Sequence, residues 1–118
     1  MKTDNPIRDK SYSFALRIIK LCSWFRSQKH YELSTQLLKS GTSIGANVEE
    51  ALAGHSRKDF IHKMAIASKE ARETHYWLRL LRDSAILNNS QSDAIIVESE
   101  ELVKLLTSII KTAIGNTN

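Results

Sequence analysis

Arg72, His75, Arg79 and Arg82 recur along one stretch of this chain at spacings of three, four and three residues. On a helix they fall within roughly 80° of arc and form one basic stripe, with the acidic residues Asp59, Glu70 and Glu73 on the other flank. Guanidinium groups present planar forks of N–H donors that match phosphate oxygens, so the chemistry this stripe suggests is phosphate binding. A second basic group precedes it: Lys10, Arg17 and Lys20 share a helical side with Trp24, whose indole could stack on an unpaired base. One such stripe is also what an ordinary solvated helix face looks like. Its reading as a nucleic-acid contact, with Arg72, His75, Arg79 and Arg82 first and Arg17 and Lys20 next, gains weight only if copies of the chain bring several stripes together.

Other residue types are poorly arranged for chemistry. Glu70 and Glu73 suggest a metal site, but carboxylate-bridged di-metal bundles use Glu-x-x-His pairs, and none occurs here. The expectation is no metal and no cofactor, with both carboxylates meeting Lys or Arg of a neighbouring helix or subunit. Arg57 and His62 have the Arg-x4-His spacing of a group of all-helical ribonucleases, but Lys58 departs from that motif directly after the Arg. There is no Gly-rich phosphate loop and no evident nucleophile, base and orienting group. The chain reads as a non-catalytic protein, with a ribonuclease using Arg57 and His62 as the remote alternative.

The elements that must position these residues are helices. Four Gly and one Pro in 118 residues leave few breakers. Phe14, Ile18, Leu21 and Phe25 make a seam at 4-3-4 spacing, while Tyr12, Leu16 and Ile19 lie off it and point to a second buried face. Leu33, Leu37, Gly41, Ile44, Val48 and Leu52 form the next seam, in which Gly41, Gly45 and Ala46 would admit a close neighbour. Gly54 is expected to close that helix in the left-handed conformation. Ser56 to Asp59 fits a capping box. It opens a third helix with its seam at Phe60, Met64, Ala67, Ala71, Thr74, Leu78, Leu81 and Ala85, beside a second stripe of Ile66, Glu70, Glu73, Trp77 and Leu80. Asn88-Asn89 should stop it. Ser90 to Asp93 is a further candidate box, before a fourth seam of Ile95, Leu102, Leu106, Ile109 and Ala113, widened by Val103 and Ile110, with Gly115 at its end.

The helices predicted are therefore about 9–29, 32–54, 57–88 and 92–114. Short connections between long helices force antiparallel neighbours, so the expected fold is all-α, an up-down four-helix bundle forming a single domain over 1–118. The apolar faces of the first and last helices exceed what one bundle core needs, which predicts self-association.

Composition narrows the setting. A net charge of +4 suits an anionic partner without requiring one. No apolar run approaches the ~20 residues that span a bilayer, so no membrane association is expected. The first ten residues lack the apolar core of a secretory signal. Cys22 stands alone, which fits a reducing cytoplasm.

The stretches LSTQLLKSGTSIGANVEEA and SRKDFIHKMAIASKEARETHYWLRLL, with IRDKSYSFALRIIKL near the start, closely resemble the four helix bundle protein family. Its first-described members are encoded in intervening sequences of bacterial large-subunit ribosomal RNA genes. The resemblance covers about residues 7–110 and extends to the accessory variability determinant protein of diversity-generating retroelements. It implies an antiparallel bundle assembled as a ring-like homopentamer. For the retroelement relatives it also implies binding to nucleic acid and to a reverse transcriptase, so the partners expected here are self, RNA or DNA, and a reverse transcriptase or other protein. The rival expectation is a purely protein-binding scaffold built on the same oligomer. The family's signature residues fall here at Ser43, Asn47 and Glu50. Asn47 and Glu50 share a helix face, and with Glu70 and Glu73 these residues are expected to be structural, bonding neighbouring helices inside the bundle.

Overall fold

The computed structural model describes residues 5–115. Helices α1 (Pro6–Ser27), α2 (Tyr31–Ala53), α3 (Arg57–Asp83) and α4 (Asn89–Gly115) account for nearly all of them, and no strand occurs among the described residues. Each helix packs on the next, and α4 returns to α1, in a body of 49 × 26 × 26 Å. The register is antiparallel throughout: Cys22 meets Ser34, Ser40 meets Thr74, Arg72 meets Thr107, and Glu98 meets Arg17. The α1–α4 seam is the loosest of the four.

The helices begin and end where local chemistry dictates, and this corrects several expectations. α1 starts at Pro6 rather than near residue 9, because Asn5 caps it by accepting from the Arg8 N–H at 3.1 Å and Pro suits the first turn. It stops at Ser27, just ahead of Lys29, which is left-handed (φ 66), with the His30 N–H reaching back to the Phe25 carbonyl. Gly54 ends α2 in an extended conformation (φ −69, ψ 160), not the left-handed one. Ser56 caps α3 as expected, accepting from the Asp59 N–H at 3.0 Å. α3 then ends five residues early. Ala85, assigned above to the seam, is exposed and left-handed (φ 65). Asn88 caps α4 instead of merely stopping α3: its Oδ1 accepts from the Gln91 N–H, and the Gln91 Oε1 accepts from the Asn88 N–H. That reciprocal box lies two residues ahead of the one expected at Ser90.

The core is the meeting of the four seams. Phe14, Ile18, Phe25, Leu37, Ile44, Val48, Met64, Leu78, Leu81, Leu102 and Leu106 are its large side chains, each at most 2% exposed. Small polar residues cross the seams. The Ser34 hydroxyl donates to the Cys22 carbonyl while the Cys22 thiol meets the Ser34 carbonyl, and the buried Thr74 and Ser40 hydroxyls share a 2.9 Å bond. These groups fix register without leaving an unpaired polar atom, since none of the buried described side chains lacks a partner.

The expected seams miss in a consistent way. Leu21, Leu33 and Ile109 are only half-buried, and Leu52 is exposed. Tyr12, Leu16 and Ile19 do not form a second buried face within the chain. They belong to an outer stripe. Leu38 and Leu52 stand one heptad either side of Gly45, which lies against Ser11 of α1. Tyr12, Leu16 and Ile19 run beside Ser11 and Ile18, so these large apolar side chains share the α1–α2 surface with Tyr31.

Candidate nucleic-acid interface

The basic stripe of α3 lands on the seam with α4. A groove of about 340 Å³ there is lined by Arg72, His75, Arg79, Glu100, Val103 and Lys104. Four basic side chains thus face one carboxylate. Arg72 donates to the Thr107 hydroxyl at 3.2 Å, which braces its guanidinium across the two helices. Arg79 lies over the Tyr76 ring, 5.8 Å from its centroid. A neighbouring depression runs on past Arg72 to Lys111. Lys104 and Lys111 were not singled out in the sequence. Their one-heptad spacing on α4 was a usable signal once α3 and α4 are known to be antiparallel.

His75 sits deepest, with its side chain 23% exposed and its Nε2 4.0 Å from Glu100. Burial and the adjacent Arg79 hold its pKa below the ordinary histidine value; Glu100 pulls the other way and Arg82 adds to the depression. A neutral imidazole beside three cations is a group that a bound anion would help to protonate.

The structure does not bring all six expected contact residues together. Arg72, His75 and Arg79 share the groove, while Arg82 is turned to Asp83 at 2.8 Å. Arg17 and Lys20 lie across α4, on the α1 seam, where Arg17 is ion-paired with Glu98. Two sites on opposite flanks of α4 therefore replace one continuous face.

The signature residues behave differently from expectation. Asn47 donates to the Ser43 carbonyl at 2.9 Å and Ser43 to the Lys39 carbonyl at 2.7 Å, so both bond their own helix. Only Glu50 crosses helices, meeting Lys63 at 2.8 Å. The Glu73 carboxylate accepts from the Trp77 indole at 3.4 Å, and Glu70 meets no Lys or Arg of its own chain among the described residues. No group of three metal-ligating side chains occurs among the described residues. Arg57 and His62 are both exposed at the start of α3, but five residues of helix separate them by roughly 140° of arc, onto different faces. No helix among the described residues is long and apolar enough to cross a membrane.

Comparison with known proteins agrees with this architecture. Residues 3–108 match the family model described as 23S rRNA-intervening sequence protein. A crystal structure of a protein of unknown function from the S23 ribosomal protein family of Bacteroides thetaiotaomicron is 49% identical. The match covers 89% of this chain and 98% of that one, with a TM-score of 0.86. A comparison with curated proteins finds no match.

Proposed function

The chain belongs to the 23S rRNA-intervening sequence protein family, and from that premise we propose that it is a non-catalytic, oligomeric adaptor that binds RNA or DNA through the α3–α4 groove. The observation that carries the reading is the convergence of Arg72, His75 and Arg79 from α3 with Lys104 from α4 around a single carboxylate, Glu100. Guanidinium and ammonium groups so placed bind phosphate oxygens, and no base-reading element is built beside them, so the groove holds the backbone and does not select sequence.

Self-association is the second part of the proposal. Tyr12, Leu16 and Ile19 with Tyr31, Leu38 and Leu52 leave an apolar stripe on the α1–α2 surface that a neighbouring copy would cover, and a ring of five is the assembly the family resemblance implies. Repeated around a ring, the α3–α4 grooves would add their fields. A reverse transcriptase or another protein is the further partner that the family resemblance implies. A reducing, cytoplasmic setting fits the lone thiol of Cys22, which is buried and unpaired.

The test is a titration of labelled oligonucleotide at ~50 and ~200 mM salt against wild type and the Arg72→Glu/Arg79→Glu variant. Affinity should fall steeply with salt and vary little with sequence, and the variant should bind weakly with a flatter salt slope. No binding at the lower salt, or binding indifferent to the double substitution, refutes the reading. One observation favours a purely protein-binding scaffold instead: Glu70 has no basic partner among the described residues, and an Arg of a neighbouring copy could supply it. In that case the arginines would be consumed by the assembly and oligonucleotide would not bind.

A further inference from the structure

The loose α1–α4 seam holds a second groove, of about 320 Å³, lined by Arg17, Lys20, Leu21, Trp24, Gln91 and Ile95. Its floor is apolar: Ile95 is buried, and Leu21 and Trp24 are half-buried against the core. The rim is polar and positive. Arg17 is neutralised by Glu98, while Lys20 has no carboxylate partner among the described residues. Gln91 uses its Oε1 and backbone N–H on the α4 cap, which leaves its Nε2 as a donor without a partner among the described residues.

We propose that this groove takes one unstacked base of a single-stranded nucleic acid, with the base against the Trp24 indole, the Gln91 amide donating to the base edge and Lys20 on the adjoining phosphate. The inference rests on the nucleic-acid reading of the α3–α4 groove and adds a preference for single strands to it. An indole beside an unpaired cation asks for a ligand that joins a flat aromatic surface to a negative charge over a short span. A nucleotide is that ligand. The bases of a duplex are already stacked and cannot reach the groove, whereas its phosphates can still reach Arg72 and Arg79. The other half of the same seam is lined by Asp9, Glu98 and Glu101; Arg17 answers Glu98 and Lys10 alone stands against the other two, so the excess charge there is negative and favours the Trp24 end for a polyanion. Arg82, which feels Asp93 across the α3–α4 seam, stands at that same end on the far side of α4. A strand that crosses one helix width, roughly 10 Å, and runs about 13 Å along α4 would join the two grooves.

The chain has two tryptophans, and Trp77→Phe leaves Trp24 as the sole indole reporter. In that background, oligothymidylate should quench Trp24 emission, while a blunt duplex of equal length should bind without quenching. Trp24→Leu should weaken single-strand binding on the order of tenfold and leave duplex binding unchanged. Lys20→Glu, a surface change that spares the packing of Trp24 on Phe25, should also weaken single-strand binding selectively. Three results would overturn the inference: single-strand binding without quenching and indifferent to both variants, equal effects on single strand and duplex, or quenching by an acidic tyrosine-bearing peptide but by no oligonucleotide. In the first two the α3–α4 reading stands. Only loss of all oligonucleotide binding at low salt removes both.

Discussion

Replacing Gly41 and Gly45 by alanine, one at a time, should move stability in opposite directions although both lie in the middle of α2. Removing a mid-helix glycine is worth about 1 kcal/mol in helix propensity at either position. Neither glycine has a positive φ, so neither backbone resists a side chain. What differs is the space. A Cβ at Gly45 would lie 3.4 Å from the Ser11 hydroxyl, an ordinary contact, so the propensity gain survives and Gly45→Ala should stabilise by about 0.5–1 kcal/mol. A Cβ at Gly41 would lie 2.8 and 2.9 Å from the two γ-carbons of Ile18 and 3.2 Å from its Cβ. Ile18 is fully buried and β-branched, and rotation about χ1 cannot clear both γ-carbons or move its Cβ. The two helices must separate by a few tenths of an ångström. Overpacking of that kind costs about 1–3 kcal/mol, so after the propensity gain Gly41→Ala should destabilise by roughly 1 kcal/mol.

Thermal melts at one fixed protomer concentration read both effects, since self-association would otherwise shift the midpoint. For a domain of this size 1 kcal/mol corresponds to about 4 °C, so Gly45→Ala should melt a few degrees higher and Gly41→Ala about 4 °C lower. A double-mutant cycle isolates the contact: Ile18→Ala should be at least about 1 kcal/mol less damaging in the Gly41→Ala background than in wild type. If Gly41→Ala stabilises as much as Gly45→Ala, or the cycle is additive, the close approach of α1 and α2 at this point is not what glycine is there to permit.

Ala85→Gly relieves a left-handed backbone that only glycine adopts freely, and denaturant melts should show about 0.5–1 kcal/mol of added stability; no gain would mean the turn is not strained. His75 has a folded-state pKa below its ordinary 6.5, so its contribution is complete above that value and stability should decline as pH falls through it and below, a slope that His75→Gln should abolish. The same substitution should remove proton uptake on oligonucleotide binding, measured by titration calorimetry in buffers of different ionisation enthalpy. Cys22 is buried and its thiol is pushed up by that burial, so a thiol reagent should label it only as fast as the bundle opens; stoichiometric labelling of native protein within seconds would contradict the packing of α1 on α2. Light scattering should return a mass above 13.4 kDa for wild type and fall towards it in a Leu16→Glu/Leu38→Glu variant; a monomeric wild type removes the oligomer.

Helix number, order and direction were legible because they rest on long-range periodicity, which averages over many residues. Ile44, Val48, Met64, Leu78 and Leu102 repeat at helical spacing whatever happens at any one position. Ends were less legible because each depends on one or two side chains. Asn88 can stop a helix or start one, and only the reciprocal bond with Gln91 decides. Ala85 continues the heptad in sequence, yet α3 has already ended, since nothing in an alanine announces a left-handed turn.

The candidate site was legible to the extent that it lies on one helix. Arg72, His75 and Arg79 could be grouped from spacing alone, because a helix fixes their relative directions. Lys104 and Glu100 could not, because their approach depends on how α4 is rotated and how far it slides along α3. The same limit explains Arg17 and Lys20. Their side of α1 was readable, but whether that side faces the α3 stripe or the opposite flank of α4 is a property of the closed bundle. That distinction changes the function we propose: two grooves on opposite flanks of α4, one lined by Arg72 and Arg79 and one floored by Trp24, would tell a single strand from a duplex, whereas one uniform belt of charge would not.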